Sequence, residues 1–349
     1  MVEQPASPPY VDAPILPGLD NVDHWDASAA RARLVRLLPD LPIVIPNNAK
    51  FCGGASNDVW DLGETFLKVC WRANRGRLIR DAHIAKGLPK EIPHAIVRSE
   101  GETTSLSWVL TERASGDSFA RTVDKIPESE ARGIVSQMAR ILKALHDWEP
   151  DDELRSMIQS RPSMNTKDPL SVWGTELVPV PAWQALAQGD LAKGLPHVKQ
   201  GLINATIELI EDLSEFDPYQ SGSEQHVVLH GDPSLGNWFV ENGLVTSLLD
   251  FEWFRIGPRD LDLVTLICVC QRDAHDQPGP PRVPFLKCLE VDYPEMFDYP
   301  NLNSRLWLYE LAFFLRGVIW WPPNKPAKSL DREHHVHTLS RLLDGPLPR

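Results

Sequence analysis

Three polar residues in the second half of the chain have the types and the spacing that phosphoryl transfer requires. Asp232 lies in the stretch HGDPSLGN (230–237), Asn237 follows it after five residues, and Asp250 lies eighteen residues after Asp232. A carboxylate can accept the proton of an attacking hydroxyl, and an amide oxygen and a second carboxylate can hold a divalent metal that bridges nucleotide phosphates. We therefore interpret Asp232 as a candidate catalytic base, and Asn237 and Asp250 as candidate metal ligands.

This pattern resembles the catalytic and metal loops of the aminoglycoside phosphotransferase and choline kinase families, which are distant relatives of protein kinases. The downstream stretch GPRDLDL (257–263) also matches these families. The resemblance implies that His230 braces the catalytic loop and that Asp262 pins it through backbone N–H groups. It implies ATP, with GTP as an alternative, and Mg²⁺. It also implies an α+β, two-lobed protein kinase-like fold, with a small antiparallel-sheet N-lobe and a larger, mainly helical C-lobe.

Lys68 is the candidate phosphate-binding cation. It lies in the stretch TFLKVCW (65–71), whose alternation of apolar and polar residues predicts a strand. A lysine there loses solvation unless an anion accompanies it, although exposure at a sheet edge is an alternative explanation. In the related families a glutamate on the following helix holds this lysine. Asp81 is the best-placed acid in this chain, with Glu64 and Glu91 as alternatives.

Two further segments are candidates for nucleotide binding. A turn before Lys68 would let the backbone approach phosphates closely, although such turns are also common in hairpins; its residues are Gly53, Gly54, Ser56 and Asn57. The stretch WVLTERA (108–114) resembles the linker between the two lobes, whose backbone reads the adenine edge. The candidate adenine contacts there are Thr111, Glu112 and Arg113, although a simple strand end fits the same position.

Composition limits the possible partners and compartment. The 349 residues carry a formal net charge of −13, which disfavours a nucleic-acid partner and favours a cationic substrate. Many cytoplasmic proteins are acidic without such a reason. The five cysteines show no paired spacing, which predicts reduced thiols in a cytoplasmic protein. The N-terminus has no signal-peptide pattern, and charges interrupt the apolar stretch 306–321, so we expect no membrane association. The oligomeric state stays open.

Hydrophobic periodicity and turn residues divide the chain into three parts. Residues 1–24 are rich in proline and predict an extended arm, residues 25–114 an N-lobe that binds the nucleotide, and residues 115–349 a C-lobe with the catalytic, metal and acceptor sites. Residues 150–196 are expected to be irregular. Helices are predicted over 27–38, 74–86, 128–148, 199–213, 261–270 and 302–319. Asp260 is expected to be a solvated N-cap of the helix at 261–270.

The acceptor is the least defined part of the prediction. Candidate lining residues are Glu252, Trp253, Arg255 and Glu310, and the Trp320–Trp321 pair is better explained as a helix end packed into the core. Tryptophan with glutamate suits an amino sugar or another cationic ligand. We expect a kinase that acts on a hydroxyl of an aminoglycoside-like natural product, which would suggest antibiotic resistance. The alternatives are a metabolic kinase of a sugar, choline-like alcohol or amino alcohol, and a non-catalytic kinase-like binding module. Intact Lys68, Asp232, Asn237 and Asp250 argue against the last.

Overall fold

The chain divides into two compact units, and each unit is discontinuous in sequence. The computed structural model describes residues 27–53, 57–71, 76–159, 182–218, 226–276, 284–320 and 335–347. One unit comprises Met1–Asp117, Glu149–Gly174 and Phe239–Glu252, and the other comprises Ser118–Trp148, Thr175–Trp238 and Trp253–Arg349. This division differs from the single boundary expected after residue 114. The predicted arm (1–24), Gly54, Ser56 and Trp321 lie outside the described residues.

The first unit is built around a five-stranded antiparallel sheet with the order β1-β2-β3-β5-β4. Its strands are β1 (Lys50–Gly53), β2 (Asp58–Asp61), β3 (Thr65–Cys70), β4 (Val97–Glu102) and β5 (Ser107–Glu112). The β2–β3 turn contains Gly63 at φ +104, a conformation that suits glycine, and the Leu62 N–H donates to the Thr65 carbonyl at 2.9 Å. The turn therefore fixes the register in which Lys68 pairs with Val59 of β2, and Lys68 pairs with Val109 of β5 on its other side.

Helices α1 (Ala27–Leu37), α2 (Gly76–Gly87) and α5 (Asp152–Gln159) complete the first unit, together with most of a β-hairpin. On α1, Leu34 and Leu37 pack against Trp60 and Leu67 of the sheet. The hairpin consists of β8 (Trp238–Glu241) and β9 (Leu244–Leu248), which form a three-stranded sheet with β6 (Asp117–Ser118). The Leu248 N–H donates to the Pro93 carbonyl at 2.7 Å. This bond anchors the strand end from which the chain continues to Asp250.

The second unit is mainly helical and contains one two-stranded sheet. Helix α4 (Glu128–His146) buries Ile134, Met138, Leu142 and Leu145 along one face, as its periodicity predicted. Strands β7 (Val227–Leu229) and β10 (Arg255–Gly257) pair antiparallel and flank the catalytic segment in sequence. The helices are α3 (Phe119–Thr122), α4 (Glu128–His146), α6 (Ala182–Ala192), α7 (Gln200–Leu213), α8 (Leu261–Asp276), α9 (Phe285–Asp292), α10 (Leu302–Trp320) and α11 (His335–Leu342).

Residues 150–196 are not irregular throughout, because α5 and α6 lie within them. Helix α5 has a local N-terminal signal, since the Asp151 carboxylate accepts the Leu154 N–H at 2.8 Å. At the start of α6, the Ala182 N–H donates to the carboxylate of Asp217, 35 residues later, at 2.7 Å. A cap supplied by so distant a residue leaves no local sequence pattern. Most of the described part of this region is therefore helical, contrary to the expectation.

Asp260 is not the solvated helix cap that its position before α8 suggested. It is fully buried, and Arg305 donates to its two carboxylate oxygens at 2.7 and 3.0 Å. The guanidinium also stacks on the ring of Tyr299, 4.4 Å from the centroid. The start of α8 is thus fixed by a buried bidentate ion pair.

Among the described residues, no helix combines the length and the apolar character that a membrane crossing requires.

Candidate functional site

In the first unit, the structure brings Lys68, Asp81 and Asp250 together. The Lys68 ammonium lies 3.2 Å from Asp81 Oδ2 and 3.1 Å from Asp250 Oδ1. Glu64 and Glu91, the alternative partners, are both exposed. Burial acts to lower the pKa of Lys68, but the carboxylates of Asp250, Asp81 and Glu252 outweigh it and raise that pKa. Lys68 therefore stays charged and is oriented by two carboxylates from different elements.

The surroundings of Lys68 hold more acids than bases. Glu252 is buried, and its carboxylate lies 2.9 Å from the Arg77 guanidinium on α2. Burial raises the pKa of Glu252 to about 7, with Arg77 opposing the rise and Asp250 adding to it. A site with this surplus of carboxylate oxygens, of which those of Asp250 are partly exposed, fits a divalent cation such as Mg²⁺.

The backbone holds Asp250 in an unusual conformation. Its φ of +72 lies in the left-handed region, which costs a residue with a Cβ about 1–2 kcal/mol. The next residue is fixed by α2, since the Phe251 N–H donates to Asp81 Oδ1 at 2.7 Å. Asp81 therefore holds both Lys68 and the backbone that follows Asp250.

In the second unit, Asp262 pins the loop that begins at His230. Its Oδ2 accepts the His230 N–H and its Oδ1 accepts the Gly231 N–H, both at 2.9 Å. His146 Nε2 lies 3.1 Å from the same Oδ2, and His146 Nδ1 lies 2.9 Å from the Tyr293 hydroxyl. Burial acts to raise the pKa of Asp262, but its interaction with His146 and the other hydrogen bonds lower it. The carboxylate thus stays ionised in the core.

The loop has little freedom at its second residue. Gly231 has φ +82, and a Cβ there would lie 2.2 Å from the Trp253 carbonyl oxygen, so only glycine fits. The following residue, Asp232, is half-buried, and Asn237 Nδ2 donates to its carbonyl at 2.9 Å and to its Oδ2 at 3.3 Å. This donation turns the amide oxygen of Asn237 away from Asp232, an orientation that suits a metal ligand.

The predicted nucleotide contacts are placed less simply. Gly53 ends β1 with φ +89 and Asn57 is buried, whereas Gly54 and Ser56 lie outside the described residues. The expected backbone contacts of Glu112 and Arg113 need correction, because their N–H groups donate to the carbonyls of Ile96 and Glu64. Thr111 pairs within the sheet as well. The N–H groups of Glu112 and Arg113 therefore complete the sheet and cannot read an adenine edge.

Two of the four candidate acceptor residues are committed to structural contacts. Glu310 is fully buried, and its carboxylate accepts the Leu347 N–H at 3.0 Å. Glu252 is buried against Arg77. Both carboxylates are therefore removed from the candidates for acceptor binding. Trp253 is buried, and Arg255 is half-buried on β10.

Sequence reasoning missed His146 and Tyr293. His146 follows Leu142 by four residues on the buried face of α4. A polar residue on an otherwise apolar face was the available signal, because such a group needs a buried partner. Tyr293 has no comparable signal, since the residue that it contacts lies 147 positions away.

Replacing Asp262 with alanine is expected to lower the free energy of unfolding at pH 7 by about 3 kcal/mol, because two buried N–H groups and His146 lose their acceptor. The folded-state pKa of Asp262 lies below its ordinary value of 3.8, so the difference from the wild type should shrink as the pH falls below that value. Denaturant unfolding of wild type and variant, at pH 7 and at a pH below 3.8, measures the difference in the free energy of unfolding. The exposed Asp298→Ala variant is the control, and an equal loss in both variants would contradict the pinning role.

The sequence matches the model of the phosphotransferase enzyme family over residues 49–300, and no curated protein matches the chain. Among solved structures, aminoglycoside phosphotransferase APH(4)-Ia is similar with a TM-score of 0.59 and 13% identity, covering 91% of this chain and 97% of that one. The streptomycin–ATP–APH(2'')-IIa ternary complex is similar with a TM-score of 0.54 and 17% identity, covering 93% of this chain and 98% of that one. APH(3'')-Id from Streptomyces rimosus, in complex with ADP and streptomycin, is similar with a TM-score of 0.52 and 15% identity, covering 83% of this chain and 98% of that one.

These likenesses confirm the two-lobed, protein kinase-like α+β fold that the sequence predicted. The family match extends over well more than half of the chain and includes β1–β5 as well as the segment from His230 to Asp262. The chain belongs to the phosphotransferase enzyme family, and it is a small-molecule phosphotransferase.

Proposed function

We propose that this protein transfers the terminal phosphate of ATP, bound with Mg²⁺, to a hydroxyl group of an aminoglycoside-like acceptor. The observation that carries the proposal is the cluster of Lys68, Asp81 and Asp250. A half-buried lysine held by one acid from a helix and another from the metal loop is the arrangement with which kinases orient nucleotide phosphates.

The binding of the nucleotide falls to the first unit. Lys68 would contact the phosphates, Asp81 would keep its ammonium oriented, and the turn that includes Gly53 and Asn57 would approach the phosphates through its backbone. Asp250 would hold the metal through its carboxylate oxygens, and Asn237 stays a candidate metal ligand through its amide oxygen. When bound, ATP supplies the phosphoryl group, and Mg²⁺ neutralises negative charge that develops during its transfer.

Asp232 would be the general base that accepts the proton of the acceptor hydroxyl. Its carboxylate would accept a hydrogen bond from the hydroxyl and take the proton as the oxygen attacks the terminal phosphorus. Asp262 and His146 do not touch reacting atoms in this scheme. They hold the backbone of His230 and Gly231, and this fixes the direction from which Asp232 acts.

The acceptor class rests on charge and on the relatives. A formal net charge of −13 attracts a polycationic amino sugar more than a neutral alcohol. Two of the similar structures contain streptomycin, in one case with ATP and in the other with ADP. An aminoglycoside combines hydroxyl groups with several amines, so it satisfies both the chemistry of Asp232 and the charge of the chain.

ADP release with a panel of acceptors tests the proposal. The panel contains streptomycin, gentamicin, choline and a neutral sugar, each with ATP or GTP and with or without Mg²⁺, and Asp232→Asn serves as the inactive control. Mg²⁺-dependent ADP release that requires an aminoglycoside is expected. Release only with choline or the sugar would support a metabolic kinase. A protein whose melting temperature does not rise with ATP and Mg²⁺ would refute nucleotide binding.

A further inference from the structure

Helix α2 presents three charged residues to the segment that follows Asp250. Arg77, Arg80 and Asp81 occupy positions i, i+3 and i+4, so they share one face of the helix. Asp81 accepts the Phe251 N–H, Arg77 lies against the Glu252 carboxylate, and Arg80 donates to the Glu252 carbonyl. The sequence indicated a role for Asp81 alone.

Arg80 donates to three backbone carbonyls. Its Nη1 donates to the Glu252 carbonyl at 2.8 Å, its Nε donates to the Met157 carbonyl at 3.1 Å, and its Nη2 donates to the Ile158 carbonyl at 3.0 Å. The side chain is buried. A planar guanidinium can satisfy three acceptors at fixed angles, which an ammonium on a flexible stem cannot do.

The two carbonyls contributed by α5 lie in its last turn. The last carbonyls of a helix have no partner within the helix, and they carry partial negative charge. Arg80 supplies donors and a positive charge to Met157 and Ile158, so it closes the end of α5 (Asp152–Gln159). The same side chain thereby joins α2, α5 and the segment after Asp250 within the first unit.

This junction matters because of the conformation of Asp250. A residue with a Cβ keeps φ +72 only where its surroundings hold it there. Asp81 fixes the N–H of Phe251, and Arg80 fixes the carbonyl of Glu252. Both bonds act on the backbone just after Asp250. The Arg77–Glu252 contact adds a side-chain attachment at the same place.

We propose that Arg80 is a positioning residue for Asp250: by bonding the Glu252 carbonyl and the end of α5, it maintains the backbone in which Asp250 presents its carboxylate to the metal. This inference rests on the proposed function, in which Asp250 is a metal ligand. The buried Glu252 then has a positioning role as well, because its carbonyl accepts from Arg80 and its carboxylate contacts Arg77.

The test is the Mg²⁺ dependence of the binding of a non-hydrolysable ATP analogue, measured by calorimetry on the full chain. Arg80→Ala is expected to raise the Mg²⁺ concentration for half-maximal binding by about tenfold, as is typical when a group that supports a metal ligand is lost. Binding of the analogue without Mg²⁺ should change by less than about twofold, because Lys68 and Asp81 remain. Arg80→Lys, which can bond only part of the carbonyl set, should raise the requirement by about threefold.

Leu78→Ala is the matched control on the same helix. Leu78 packs against Cys70 and Val109 of the sheet, so its truncation weakens the docking of α2 and leaves the contacts of Arg80 in place. Its Mg²⁺ requirement should match that of the wild type. An equal rise in Leu78→Ala and Arg80→Ala would overturn the inference, since packing alone would then explain the effect.

The outcomes separate this inference from the proposed function. If the wild type binds the analogue without any need for Mg²⁺, the proposed function fails. If the wild type needs Mg²⁺ and Arg80→Ala needs no more of it, Arg80 has no positioning role and the proposed function stands. Should Arg80→Ala not fold, Arg80→Lys decides, and a wild-type Mg²⁺ requirement in that variant would overturn the inference.

Discussion

Asp232→Asn is expected to reduce the turnover number about a thousandfold, the middle of the range for loss of a general base. Asparagine has almost the same shape as aspartate but cannot take up the proton of the acceptor hydroxyl. The dissociation constant for the ATP analogue should stay within about twofold of the wild type, because Asp232 is not assigned to nucleotide binding. Steady-state ADP release and calorimetry measure the two quantities separately.

Ser234→Ala is the control for this prediction. Ser234 lies in the same loop, and its side chain makes no capping bond to the short helix that follows. It tests whether any change in the loop lowers turnover. Turnover of Asp232→Asn near the wild-type level would remove Asp232 from the role of base. Loss of nucleotide binding in that variant would show that the residue acts at another step.

Asp250→Asn is expected to weaken Mg²⁺-dependent binding of the ATP analogue about a hundredfold, because the metal loses a charged ligand. Asparagine is the appropriate substitution because it tolerates a positive φ better than other residues with a Cβ. The backbone at φ +72 should therefore persist, so the measurement reports the lost charge. The measurement is calorimetric titration of the analogue at several Mg²⁺ concentrations.

Asp250→Gly separates the ligand from the backbone. Glycine also lacks the carboxylate but adopts φ +72 without a steric penalty. Asp250→Gly should bind the nucleotide as weakly as Asp250→Asn does. Its melting temperature should be at least as high as that of Asp250→Asn. An unchanged Mg²⁺ requirement in both variants would contradict the assignment of Asp250 as a metal ligand.

The elements that carry their own local signal could be predicted from the sequence. Helix α4 shows apolar residues at helical spacing, and the β2–β3 turn contains a glycine at the position that needs a positive φ. Helix α6 could not be predicted, because its first N–H is satisfied by Asp217. A boundary placed at one residue, such as the one predicted after residue 114, also carries no information on the later segments Glu149–Gly174 and Phe239–Glu252, which belong to the first compact unit.

In the candidate site, the side chains had a signal in the sequence and the contacts to backbone carbonyls had none. Lys68, Asp81 and Asp250 were candidates because of their chemical type and the family resemblance, and the structure places the Lys68 ammonium within 3.2 Å of both carboxylates. The bonds of Arg80 end on backbone carbonyls, and any residue type can supply a carbonyl, so no pattern marks them. Glu310 was assigned to acceptor binding because a sequence does not show that a carboxylate is buried.

The discontinuity of the first unit limits how this protein can be dissected. A fragment that ended at Asp117 would keep Lys68 and Arg80 but lose Asp250, Met157, Ile158 and Glu252, with which those two residues bond. A buried cation such as the Arg80 guanidinium is costly without its acceptors. Such a fragment would therefore not fold as an independent nucleotide-binding module, and insertions or new chain ends are better placed in exposed turns, such as the β8–β9 turn at Asn242.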